Sequence, residues 1–177
     1  LRATIEAQFT QDIERSPMRG ARMRIVSGNF VTAKPLGVYE GVDYHHTGEV
    51  RRIDIRGIEA ALADRSLVML SPMGYSRTGA IFNLSCEQVA TRTAIALNAE
   101  KLILCGAEPG LVDAQGELVR QIHTKDAVPH LTRLNGDDTG RLLGAAVDAS
   151  IGGVKRCHLV SYHEDGAILD ELFTQSG

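Results

Sequence analysis

The chain has 177 residues, is 44% hydrophobic and 23% charged, and carries a formal net charge of −3. Enough apolar surface is present to offset chain ordering, which excludes general disorder, and the slight acidity argues against a nucleic-acid surface, which needs a basic field. No apolar run approaches the ~20 residues that cross a bilayer, no targeting or lipidation motif opens the chain, and Cys86, Cys105 and Cys157 are too dispersed for a disulfide frame or zinc knuckle. They are expected to be buried thiols of a reducing, cytoplasmic compartment.

Ile5, Phe9 and Ile13 recur at helical spacing, which predicts a helix over 1–15 that ends at Ser16-Pro17. Residues 23–26 and 30–34 form short β-rich runs separated by a Ser-Gly-Asn turn. Residues 42–46 and 50–53 flank Thr47-Gly48-Glu49 and predict a hairpin. Asp54 is placed to cap a helix with Ile55, Ile58, Ala61 and Leu62 on one face. The run 67–70 has the unbroken apolar character of a strand covered on both faces. A second hairpin is expected in 72–83.

Ser85-x-x-Gln88 has the form of a capping box before an Ala-rich helix to Asn98. Residues 101–105 predict another buried strand, and 106–118 a loop with Pro109-Gly110. A weak helix is expected over 125–130. A stronger one, capped by Asp138 or Thr139, presents Leu143, Val147 and Ile151 and stops at Gly152-Gly153. A strand over 157–161 and a helix over 165–173 follow. This alternation of strands and helices predicts an α/β fold, a mostly parallel sheet with helices on both faces.

No Gly-x-Ser-x-Gly elbow, Walker A loop or Gly-x-Gly-x-x-Gly fingerprint is present. His45 and His46 are adjacent, and neighbouring strand residues point to opposite faces, so a shared metal ion is not expected. The segments after two strands, 71–83 and 106–110, are the places where a small molecule would meet a parallel sheet. Residue chemistry alone leads no further than that.

Three stretches carry a resemblance. Residues 79–87 (Gly-Ala-Ile-Phe-Asn-Leu-Ser-Cys-Glu), followed by an Ala-rich helix and Asn98-Ala99-Glu100-Lys101-Leu102, resemble the amino-acid kinase fold of acetylglutamate kinases. Residues 26–54, with Lys34-Pro35-Leu36-Gly37-Val38 and Arg51-Arg52-Ile53-Asp54, are similar to the kinase-like domain of bacterial N-acetylglutamate synthases. Residues 153–173 support the same family. The resemblance implies a three-layer sandwich, incomplete at its N-terminus, with 1–177 as a fragment of one kinase-like domain. Exposed apolar edges are expected with it.

In the kinases an early lysine of the helix before the Gly-Gly stop offsets phosphate charge; here that position is Leu142. Asn83, Ser85 and Glu87 occupy the acyl-amino-acid pocket positions, with Ser85 and Glu87 departing from the kinase residues. The resemblance therefore implies a vestigial pocket and no catalytic residue in this segment. It also implies an L-arginine effector site at Lys101, His158, Glu171 and Gly177. These suit that ligand: a carboxylate forks onto a guanidinium, and a lysine meets an α-carboxylate. The implied whole protein is a homo-oligomer that transfers acetyl from acetyl-CoA to L-glutamate through a separate acetyltransferase domain. The alternative is an active acetylglutamate kinase that uses ATP.

Overall fold

The computed structural model describes residues 2–11, 23–113, 115–134 and 136–173. The chain divides into two compact units, Leu1–Val89 and Ala90–Gly177.

The first unit contains helix α1 (Arg2–Phe9), strands β1 (Ile25–Ser27), β2 (Val31–Pro35), β3 (Val38–Tyr39), β4 (Val42–Asp43) and β5 (Gly48–Ile53), helix α2 (Ile55–Ala63), then β6 (Leu67–Met69), β7 (Met73–Tyr75) and β8 (Ile81–Asn83). Its largest sheet runs β5-β2-β7-β8, antiparallel at both outer pairs and parallel between β2 and β7. A separate parallel pair joins β1 to β6. Val31, Ala33, Ile53, Ile58, Phe82, Leu84 and Val89 are buried. Gly74 lets β2 and β7 close up: a Cβ there would lie 2.6 Å from Ala33 Cβ.

The expected hairpin over 42–53 is corrected. Val42–Asp43 turns back onto Val38–Tyr39 instead, and β5 pairs with β2. Glu40 and Gly41 both have positive φ, 51° and 81°, the conformation of the two-residue turn that suits strand twist. Gly48 is not a turn glycine. It lies within β5, where a Cβ would stand 2.7 Å from the Lys34 carbonyl and 2.8 Å from Phe82 Cβ. The hairpin expected in 72–83 is present as β7–β8.

Asp54 caps α2 as expected, its side chain accepting from Gly57 N at 3.2 Å. Only Ile58 of the expected face is buried; Ile55 and Leu62 are exposed. Leu67 is exposed too, so β6 is not covered on both faces. In α1, Ile5 and Phe9 are exposed; Ile13 lies outside the described residues. Met23, just before β1, and Leu67 of β6 are exposed apolar residues.

Helix α3 (Cys86–Ala96) follows. The expected capping box is half formed. Ser85 Oγ accepts from Gln88 N at 3.1 Å, but the Gln88 side chain accepts from Val50 N at 2.7 Å. Gln88 thus ties α3 to β5 rather than closing the box.

The second unit contains β9 (Lys101–Gly106), α4 (Thr124–Arg133), α5 (Asp138–Ile151), β10 (Arg156–Ser161) and α6 (Ala167–Phe173). Strands β9 and β10 are parallel in continuous register from Arg156 opposite Lys101 to Ser161 opposite Gly106. Two helices make the crossover between them, as a parallel connection requires. Ala145 and Ala146 of α5 pack with Leu102, Leu104, Cys157 and Leu159. Leu143 and Val147 pack with Leu111 and Ala127.

Asp137 is the residue before α5, not Asp138 or Thr139, and its side chain makes no capping bond. Ile151, on the expected stripe, is exposed, because the stripe's cluster ends at Val147. The cysteines are also corrected: Cys86 and Cys105 are exposed, and only Cys157 is partly covered. Cys105 falls between buried Leu104 and Gly106, so strand alternation turns it away from the α5 side. The α/β class is borne out, and among the described residues no helix is long and apolar enough to cross a membrane.

Candidate functional site

Three of the four predicted effector residues meet in the second unit. Strand register places Lys101 opposite Arg156 and Ile103 opposite His158. Residues opposite each other, and two apart along a strand, share a face. Lys101 and His158 therefore lie on one face, while Leu102, Leu104 and Cys157 fill the other against α5. Helix α6 brings Glu171 to the first face.

There Glu171 is held from two strands. His158 Nδ1 lies 2.5 Å from Glu171 Oε1, and Lys101 Nζ lies 3.3 Å from the same oxygen. Lys101 Nζ also donates to the Glu171 backbone carbonyl at 2.5 Å. That carbonyl belongs to the last turn of the short helix α6. The lysine thus secures both the carboxylate and the end of α6.

The side chains of Glu171, His158 and Lys101 are only 12%, 18% and 21% exposed. Lys155 and Glu100 also pair, at 3.1 Å, but are 71% and 84% exposed. An exposed pair contributes ~0–1 kcal/mol, whereas removing one partner of a buried pair costs ~3–5 kcal/mol. The Glu171 cluster lies nearer the second case.

With a carboxylate as acceptor, His158 Nδ1 carries the proton. Its Nε2 is buried and has no partner among the described residues. A second proton there would be a buried donor without an acceptor. Burial holds the imidazole pKa below its ordinary value; Glu171 pulls it up, and Lys101 and Arg156 push it down again. Arg156 was not singled out in the sequence, where its strand register with Lys101 is invisible. Gly177, the fourth predicted residue, lies outside the described residues.

The vestigial-pocket residues are in the first unit and are held differently. Asn83 ends β8, is exposed, and uses its backbone N–H on the His46 carbonyl at 2.7 Å. Ser85 donates to Glu87 Oε2 at 2.5 Å while accepting from Gln88 N. Ser85 and Glu87 therefore meet, but as the capped first turn of α3. His45 and His46 do not share a site: His45 contacts Asp43 at 3.3 Å, and His46 Nδ1 contacts the Ile81 carbonyl at 3.3 Å. Among the described residues no three His, Cys, Asp or Glu side chains converge as a metal site would require.

Leu142 is partly buried against Leu104, Ala145 and Ala146. Its Cδ1 would lie 2.6 Å from a Cβ at Gly106, so the leucine closes over the end of β9. A cavity of ≈ 290 Å³ opens at the carboxyl ends of β9 and β10, lined by Cys105, Ser161, Tyr162, Glu164 and the start of α6. The segment 106–110, expected to meet a small molecule from its position after a parallel strand, does not line it.

Residues 4–161 match the model of the amino acid kinase family. The chain belongs to the amino acid kinase family. Within that family it is 62% identical over all 177 residues to an amino-acid acetyltransferase of Pseudomonas putida (strain GB-1). It is 59% identical to one of Azotobacter vinelandii over the same length. In each case the chain spans 41% of the relative's length.

Among solved structures it resembles N-acetylglutamate synthase from Neisseria gonorrhoeae complexed with coenzyme A and L-arginine. The TM-score is 0.91 at 33% identity, covering 99% of this chain and 41% of that one. Giardia carbamate kinase shares the fold, with a TM-score of 0.60 at 13% identity, over 85% of this chain and 61% of that one. The resemblance read from the sequence is borne out in both family and relatives.

Proposed function

We propose that this chain is the regulatory, L-arginine-binding, amino-acid-kinase-like part of an N-acetylglutamate synthase. The whole protein acetylates the α-amino group of L-glutamate with acetyl-CoA, the first step of arginine biosynthesis. The chemistry belongs to an acetyltransferase domain of the same polypeptide. The kinase-like part, residues 1–177, binds arginine and assembles a cytoplasmic homo-oligomer.

The observation that carries this reading is Glu171, a shielded carboxylate gripped by Lys101 and His158. A guanidinium is a planar fork of donors suited to a carboxylate, and an ammonium suits the α-carboxylate. Relatives named amino-acid acetyltransferase and the likeness to a synthase complexed with L-arginine support the same ligand. Leu142 supports a non-catalytic role, because a leucine beside Gly106 offers no charge to a migrating phosphoryl group.

Calorimetry with L-arginine on this chain tests the reading. Saturable heat is expected, and Glu171→Ala is expected to weaken binding by roughly tenfold or more, the scale of one charge-assisted contact. Absence of heat at millimolar arginine, or unchanged affinity after Glu171→Ala, rejects the effector site.

A further inference from the structure

We propose that the Lys101–Glu171 pair is an internal occupant of the effector site, which a ligand displaces by exchanging both charges at once. The proposal rests on the arginine reading above and concerns which ligands that site accepts. In this structure the two groups that would receive opposite ends of an amino acid are bonded to each other. Lys101 Nζ reaches both Glu171 Oε1 and the Glu171 carbonyl. A guanidinium that forks onto both Glu171 oxygens therefore competes with Lys101 for Oε1.

The released ammonium belongs to a side chain only 21% exposed. It cannot regain full hydration there, and leaving a shielded charge unpaired is costly. His158 does not take over, since its Nδ1 already faces Glu171 and burial lowers its pKa, which disfavours a charged ring. Arg156, opposite Lys101 in the strand register, adds a like charge beside the stranded ammonium. Only a ligand that brings its own carboxylate restores the balance. One internal ion pair is then exchanged for two ligand pairs, Lys101 with the carboxylate and Glu171 with the guanidinium.

The exchange also reaches α6. Lys101 is bonded to the carbonyl near that helix's end, so moving its ammonium to a ligand removes that tie. The ligand's own donors take the vacated acceptors. Binding and the seating of α6 on the β9–β10 face are thereby one event.

The test compares L-arginine with agmatine, which keeps the guanidinium and lacks the carboxylate, by calorimetry on the unmodified chain and on Lys101→Met. On the unmodified chain, agmatine is expected to bind at least about tenfold more weakly than arginine, the scale of a charged contact. In Lys101→Met, arginine weakens while agmatine gains affinity several-fold, because the ammonium no longer competes for Glu171. That gain is the decisive sign: a lysine that merely touches the ligand's carboxylate leaves agmatine unchanged.

Agmatine binding within about twofold of arginine on the unmodified chain overturns the exchange and leaves the arginine site standing. Unchanged agmatine affinity in a folded Lys101→Met does the same. Should Lys101→Met not fold, Lys101→Ala and Lys101→Gln carry the same comparison, and the unmodified chain still decides the first arm. If neither ligand binds the unmodified chain, the arginine reading itself falls, and the exchange with it.

Discussion

Each unit holds one predicted carboxylate cluster, and the two are built on opposite principles. Ser85 and Glu87 are two residues apart, and their contact follows from the first turn of α3. Lys101 and Glu171 are 70 residues apart, and only two parallel strands and a packed helix bring them together. The first cluster is explained by helix capping alone. The second has no local explanation: it shields charges that no secondary structure requires. A long-range polar cluster with restricted water is the stronger sign of function, because its desolvation must be offset by something.

Breaking the two clusters separately should expose this difference. Glu171→Ala should have the largest effect on stability, about 2–4 kcal/mol, because it strands a shielded Lys101. Urea unfolding, followed by a probe in the second unit, measures it; a loss below ~1 kcal/mol would place the pair with ordinary surface bridges. Ser85→Ala should cost less, ~1 kcal/mol, by removing the acceptor for Gln88 N. It should leave arginine binding unchanged in calorimetry.

A smaller effect is expected from pH. The His158 pKa is held below its ordinary value, so the unfolded chain binds that proton first as pH falls. The stability contribution is therefore fully present above about pH 6.5, the unfolded value. It is lost as pH drops from there toward the folded value. His158→Gln should flatten that acid-side slope in urea melts; an unchanged slope would show that the shielded ring does not set it. The smallest expected change is in phosphoryl transfer. Leu142→Lys supplies a charge beside Gly106 but should yield no turnover of ATP with N-acetylglutamate in a coupled assay. Turnover by the unmodified chain would favour the kinase alternative and overturn the regulatory reading.

Much of the fold was legible because it is local. The Asp54 cap, the 72–83 hairpin, the β9 and β10 runs and the Gly152 stop each follow from a few neighbouring residues. The hairpin over 42–53 was misplaced because glycine serves two ends. Gly48 reads as a turn, yet it is required in a strand where Lys34 and Phe82 crowd the backbone. The real turn, Glu40-Gly41, lacks the Asn-Gly or Asp-Gly signature. Gln88 looked like half of a capping box, but a distant strand N–H competed for its side chain and won.

The sequence by itself determined the α/β class and the family, since motifs and alternation are written in neighbouring positions. Only the tertiary structure decided that Lys101, His158 and Glu171 touch, that Arg156 stands beside them, and that the lysine is already engaged. Strand register and helix docking set those distances. Both arise from packing between residues far apart in the chain, which a linear pattern does not encode.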